Sequence, residues 1–137
     1  MAKENRTLNQ GQVIVPTGNY NPPKSHEIDV AWIITRHFSC TVEFLIPVDD
    51  YKRKTADISI GNIEWEIKSP SGASKTTVHR QFERASKQSK YIVFNGRRTT
   101  LSEEILLRRI QKELRERRSI KRLLFITKNS KILEINI

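Results

Sequence analysis

The sequence predicts a single α/β domain built on a mixed sheet, and three stretches carry that prediction. Ala56-Asp57-Ile58-Ser59-Ile60 and Ile63-Glu64-Trp65-Glu66-Ile67-Lys68 alternate strictly around Gly61-Asn62, the pattern of a hairpin closed by a two-residue turn of the primed type. Tyr91-Ile92-Val93-Phe94 is a short apolar run with the length of a buried strand, and it lies between two amphipathic helical stretches. Leu123-Leu124-Phe125-Ile126 and Ile132-Leu133-Glu134-Ile135 form a second hairpin around Asn129. A chain of 137 residues with 36% hydrophobic side chains holds one modest core, which excludes disorder for most of it.

Residues 1–24 read as a flexible arm, with three of the five prolines and only Val13-Ile14-Val15 as an edge-strand candidate. The folded domain is expected over residues 25–137. Ser25 is a good N-cap for a first helix, and Glu27 and Asp29 suit its positive end. Ile28, Ala31, Trp32, Ile34 and Phe38 form its expected apolar stripe, with Glu27 on the same side as Ala31 and Ile34. A strand over Thr41–Ile46 follows, ended by Pro47. After the first hairpin, a Ser/Pro/Gly-rich loop from Ser69 leads into a basic helix over Lys75–Lys90, buried through Val78, Phe82 and Ala85. Ser102 with Glu103 and Glu104 starts a long helix to about Arg118. The expected order is thus α-β-β-β-α-β followed by α-β-β, with helices against a mixed sheet. Trp32 and Trp65 are both assigned to the core, and Cys40 to a packed helix–strand junction.

Charge narrows the function. Lysine and arginine number 25 against 15 acidic residues, a net +10. Residues 57–100 hold eight basic and four acidic side chains, and residues 101–137 ten and five, so the excess lies in the C-terminal part. A polyanion such as nucleic acid is the partner this favours over an anionic membrane surface. No stretch approaches the roughly 18–20 apolar residues of a membrane span, and Met1 is followed by polar residues in place of a signal peptide. Cys40 alone excludes an internal disulfide or a cysteine-rich zinc site. The chain reads as soluble and intracellular at its site of action.

The hairpin turn fixes register, so residues can be read across as well as along the strands. Ile60 then faces Ile63, Ser59 faces Glu64, Ile58 faces Trp65, and Asp57 faces Glu66 in a non-hydrogen-bonded pair. Opposed carboxylates repel unless something positive lies between them. Lys68, two residues from Glu66 on the same face, is one candidate. A divalent ion, Mg²⁺ or Mn²⁺, held by Asp57 and Glu66 is the other, with the lysine steadying a water or developing phosphoryl charge. An exposed strand face of mixed charge is the plainer alternative. Glu27 either completes this site or simply compensates its helix dipole.

Basic residues surround these positions: Lys52, Arg53 and Lys54 before Asp57, then Lys75, Arg80 and Arg84 on the next helix, and Arg97 and Arg98 after the following strand. Such a distribution suits the phosphates of a nucleic-acid strand. Gln88 could contact a base or orient a water. His79 stands four residues before Glu83, where a surface helix pair is its plainer role.

Asp57 followed by Glu66-Ile67-Lys68 resembles the D…ExK pattern of PD-(D/E)xK nucleases, with Ala56 where that superfamily has proline. The wider context, Lys54-Thr55-Ala56-Asp57-Ile58 through Trp65-Glu66-Ile67-Lys68-Ser69-Pro70 and then Gln88-Ser89, resembles the C-terminal tRNase toxin domains of contact-dependent growth inhibition (CdiA) proteins over about residues 25–135. The resemblance implies a small nuclease cleaving RNA, tRNA above all, with Asp57, Glu66 and Lys68 catalytic and an acidic immunity protein as neutralising partner. Two other readings stay open. In a metal-independent ribonuclease of the barnase/EndoU/colicin/RelE-like kind, Lys68, Thr77, His79 and Arg97 or Arg98 would act. In the other, the chain cleaves DNA, or binds nucleic acid without cutting it.

Overall fold

The computed structural model describes residues 11–48 and 55–135. Seven strands form one sheet in chain order, β1 (Val13–Ile14), β2 (Val42–Phe44), β3 (Ile58–Ile60), β4 (Ile63–Lys68), β5 (Tyr91–Asn95), β6 (Arg122–Ile126) and β7 (Ile132–Ile135). Helix α1 (Ser25–Phe38) precedes β2, α2 (Thr77–Ala85) joins β4 to β5, and α3 (Glu103–Glu116) joins β5 to β6. The mixed α/β architecture expected from the sequence is therefore present, with Val13–Ile14 added parallel to β2 as the edge strand.

The first hairpin has the register its alternation dictates: Ile60 pairs with Ile63, Ser59 with Glu64 and Ile58 with Trp65. Gly61 adopts φ +62, which the tight turn needs and which an L side chain resists. β4, β5 and β6 run parallel, so each of their connections must carry a crossover helix. α2 and α3 lie on one face and pack Val78, Phe82, Leu106 and Ile110 against Ile92, Phe94, Leu123 and Phe125. The rings of Phe82, Phe94 and Phe125 stack through this layer, with centroids 5.7 and 6.2 Å apart. The other face is closed by α1, whose Val30, Ala31, Ile33 and Ile34 meet Phe44, Ile58, Trp65, Ile67, Val93 and Leu124.

Several expectations need correction. Trp32 is 44% exposed and Phe38 is 42% exposed, while Trp65 is buried at 2% as expected. α1 turns Val30 and Ile33 inward in their place, because a helix lying on a twisted sheet buries the face its packing partners reach. Lys24 is the N-cap of α1, and Ser25 is its first residue; the Glu27 carboxylate takes the Lys24 N–H at 2.9 Å. α2 ends at Ala85, short of Lys90, and the chain turns through Ser86–Gln88. The Ser89 hydroxyl draws it down by donating to the Glu64 carbonyl and accepting the Tyr91 N–H. Ser102 does cap α3, its Oγ accepting the Ile105 N–H. Cys40 is half-buried at the α1–β2 junction, and burial pushes its thiol pKa up.

The two tryptophans give a direct check on this packing. Trp65→Ala should cost about 3–5 kcal/mol in urea unfolding, whereas Trp32→Ala should stay within about 0.5 kcal/mol of wild type. Equal losses would mean that α1 lies on the sheet through the stripe read from the sequence.

Candidate functional site

The site is assembled where the hairpin ladder stops. β3 begins only at Ile58, and just before it the Asp57 amide donates to the Trp65 carbonyl at 3.0 Å. The Asp57 side chain then acts as a backbone acceptor would, its Oδ2 taking the Ile67 N–H at 2.7 Å. Asp57 is thus tied to both neighbours of Glu66, in place of the simple non-hydrogen-bonded cross-strand pair that alternation predicts. Glu66 and Lys68 pair with Ile92 and Phe94 of β5, so they project to the α2 side of the sheet, since laterally paired strand residues share a face.

Glu66 is only 3% exposed, and its two oxygens have different surroundings. Oε2 lies 3.1 Å from the Lys68 ammonium, while Oε1 is buried with no hydrogen-bond partner. Burial, and next the Asp57 charge, push the Glu66 pKa from 4.5 up to about 8, against the opposing pull of Lys68. Burial also raises Asp57, with the Ile67 N–H opposing it. Two oxygen-only ligands, one with an orphaned buried oxygen, fit a hard divalent cation, because Mg²⁺ is usually held by one or two carboxylates with water and phosphate completing the shell. No third carboxylate or imidazole gathers with them among the described residues. Glu27 is committed through one oxygen to its own helix cap and reaches Asp57 only as a nearby negative charge.

The expected basic residues scatter more than their spacing suggests. Arg80 and Arg84 line a groove with Thr77, Gln81, Ser69, Pro70, Ser71 and Gly72, immediately after Lys68. Arg98 Nη1 donates to the Ser69 carbonyl at 2.6 Å, also beside the site. Its chain neighbour Arg97 instead lines a separate groove between α1 and the β6–β7 turn, with Asp29, Arg36 and Lys131. Lys75 is exposed in the turn before α2, and Gln88 sits beside Ser89, toward the start of β4, with its Oε1 buried and unpartnered. Lys52, Arg53 and Lys54 lie outside the described residues. His79 pairs with Glu113 of α3 at 3.1 Å, replacing the expected Glu83 partner, because the buried Glu113 carboxylate needs hydrogen-bond partners and takes both His79 and Arg117.

Asn95 and His26 are additions that sequence reasoning missed. Asn95 is fully buried, its amide donating to Ser69 Oγ at 3.2 Å while its oxygen accepts the Arg97 N–H. A polar residue ending an apolar strand just before Gly96 was its only signal. His26 stands 3.5 Å from Arg98, and burial and then that charge lower its pKa; nothing local in the sequence marks it.

A sheet with parallel crossovers, with the buried Glu66 and the half-buried Asp57 beside a lysine at a strand end, defines a mixed α/β domain carrying a carboxylate–lysine cluster. The family model of the contact-dependent growth inhibition CdiA C-terminal domain matches residues 54–132, and the chain belongs to that family. A solved CdiA-CT/CdiI toxin and immunity complex from Burkholderia pseudomallei shares the fold at TM-score 0.55 and 14% identity, covering 93% of this chain and all of that one. A search of curated protein sequences finds no match. No described helix is long and apolar enough to cross a membrane.

The buried Glu66 beside Asp57 sets a pH dependence. Between pH 4.5 and about 8 the folded chain keeps a Glu66 proton that the unfolded chain has released, so stability falls as pH rises through this window. Thermal melts in chelator should show that fall, and Glu66→Gln should flatten it. A wild-type melting temperature constant over the window would remove the pairing.

Proposed function

We propose that this domain is a small basic toxin nuclease that hydrolyses RNA phosphodiesters, tRNA foremost, at Asp57, Glu66 and Lys68. The observation that carries the reading is the buried Glu66 with an orphaned oxygen, set between Asp57 and a lysine in a chain of net charge +10. A carboxyl group buried with a strongly perturbed pKa beside a charge partner marks a candidate functional site. Asp57 and Glu66 would hold Mg²⁺ or Mn²⁺, which when bound supplies Lewis-acid polarisation of a phosphoryl oxygen and a more acidic water. The Ile67 N–H keeps the Asp57 carboxylate in one orientation. Lys68 is held at the end of β4 by its contact with Glu66, where its ammonium can orient the attacking water and offset negative charge growing at phosphorus. The basic residues on α2 and Arg98 supply the diffuse attraction that brings a polyanion to this end of the sheet.

Membership of the CdiA C-terminal family supports the toxin reading, and the structurally similar protein was solved with its immunity protein. The same surface charge makes an acidic immunity protein the fitting partner here. His79, with one ring nitrogen engaged by Glu113, serves the contact between α2 and α3 in this reading.

Incubation with total tRNA should give cleavage in Mg²⁺ or Mn²⁺ and none in EDTA. Asp57→Asn preserves an oxygen for the Ile67 N–H while removing the charge, so it should fold normally and lose at least about 100-fold in rate; Lys68→Ala should lose a similar factor. Cleavage persisting in EDTA, or full activity in either variant, would move the chemistry elsewhere. Parallel DNA substrates would identify the sugar.

A further inference from the structure

We propose that the groove between the Ser69–Ser74 loop and α2 is a backbone subsite for one unpaired nucleotide, next to the Asp57–Glu66–Lys68 centre, and that it restricts the enzyme to single-stranded segments of its substrate. The proposal rests on the nuclease reading and adds which form of nucleic acid the site accepts. The groove, about 330 Å³, is lined by Ser69, Ser71 and Gly72 on one side and by Thr77, Arg80, Gln81 and Arg84 on the other. That volume is at the small end of the roughly 300–1,000 Å³ range of ligand sites, room for a single nucleotide and too little for a base pair.

The chemistry of the lining suits a phosphodiester. It contains two arginines and no carboxylate, and among the described residues neither arginine makes an ion pair. Arg80 and Arg84 stand one turn apart on α2, about 6 Å along the axis, which matches successive phosphates on an extended strand. Three loop carbonyls that would repel an anion are already engaged. Ser69 O accepts from Arg98, Gly72 O from Thr99 Oγ1 at 2.7 Å, and Ser74 O from Arg109 at 3.3 Å. Asn95 adds a hydrogen bond to Ser69 Oγ. The loop is therefore fastened from β5, the segment after it and α3 before any ligand arrives, which lowers the ordering cost of binding. Ser69 directly follows Lys68, so a strand whose scissile phosphate lies at Lys68 passes its neighbouring nucleotide into the groove. Gln81 lies between the two arginines and offers an amide that can meet the edge of an unpaired base.

The test measures binding separately from cleavage. Lys68→Ala chain is titrated with a fluorescent single-stranded RNA and with a blunt duplex of the same sequence. In that background, Arg80→Ala/Arg84→Ala is compared with Arg108→Ala/Arg115→Ala, which removes equal charge from α3. The single strand should bind about tenfold tighter than the duplex, and the α2 double variant should abolish that preference and lower the salt slope by about 1.4, from 0.7 per phosphate. Duplex binding equal to single-strand binding, or identical losses in the two double variants, would overturn the subsite. Cleavage by the wild-type chain is scored independently. Selectivity through Arg80 and Arg84 without cleavage in any metal would leave the subsite and remove the nuclease reading; cleavage dependent on Asp57 and Lys68 without that selectivity would do the reverse.

Discussion

The bond from the Ile67 N–H to Asp57 Oδ2 is the point on which the site depends. β3 starts only at Ile58, so a carboxylate from the residue before it stands where a backbone acceptor of a longer strand would be. The substitution satisfies an interior amide and at the same time fixes a negative charge beside Glu66. Burying one carboxylate costs free energy, and burying two together costs more, because each disfavours ionisation of the other. Glu66 accordingly keeps its proton toward pH 8 when no cation is bound. A site of this kind stays folded only because the surrounding layers are well packed. The apolar α1 layer lies behind Ile58, Trp65 and Ile67, while the aromatic stack of Phe82, Phe94 and Phe125 fills the face shared with α2 and α3.

The parallel strands then determine what surrounds the carboxylates. β4, β5 and β6 all point one way, so the segments after them converge at one end of the sheet. Arg98, Thr99 and Asn95, which come from the end of β5 and the turn after it, can therefore brace the loop that follows β4. The β4–α2 loop is a connection on the surface and yet well anchored, the combination that recognition sites on rigid scaffolds require. Arg97 and Arg98 show how sharply this geometry sorts residues. They are adjacent in the chain, yet one braces the loop beside Lys68 and the other lines the groove against α1.

Much of the architecture was legible. The β3–β4 register follows from the period of two and a two-residue turn, both local properties, and the pairing of Ile58 with Trp65 agrees residue for residue. The Asp57, Glu66 and Lys68 cluster was legible for the same reason. The form of the Asp57–Glu66 contact was not, because the sequence does not say where a ladder stops and a side chain takes over from the backbone. Trp32 was misread because a helical stripe more than 100° wide admits several rotations, and the sheet selects among them. The His79 partner was misread because Glu113 lies 34 residues away in the chain and only tertiary packing brings it against the ring.

Period, turn chemistry and charge composition are properties of neighbouring residues, so the sequence by itself determined the element order, the hairpin register and the net charge of +10. Folding alone decided which of those charges meet. The burial that raises Glu66, the orphaned Oε1, the arrest of His79 on Glu113 and the divergence of Arg97 from Arg98 all arise between elements far apart in the chain. Ionisation and hydrogen bonding respond to solvent access and to distances of a few ångströms, and those quantities exist only once helices and sheet have packed.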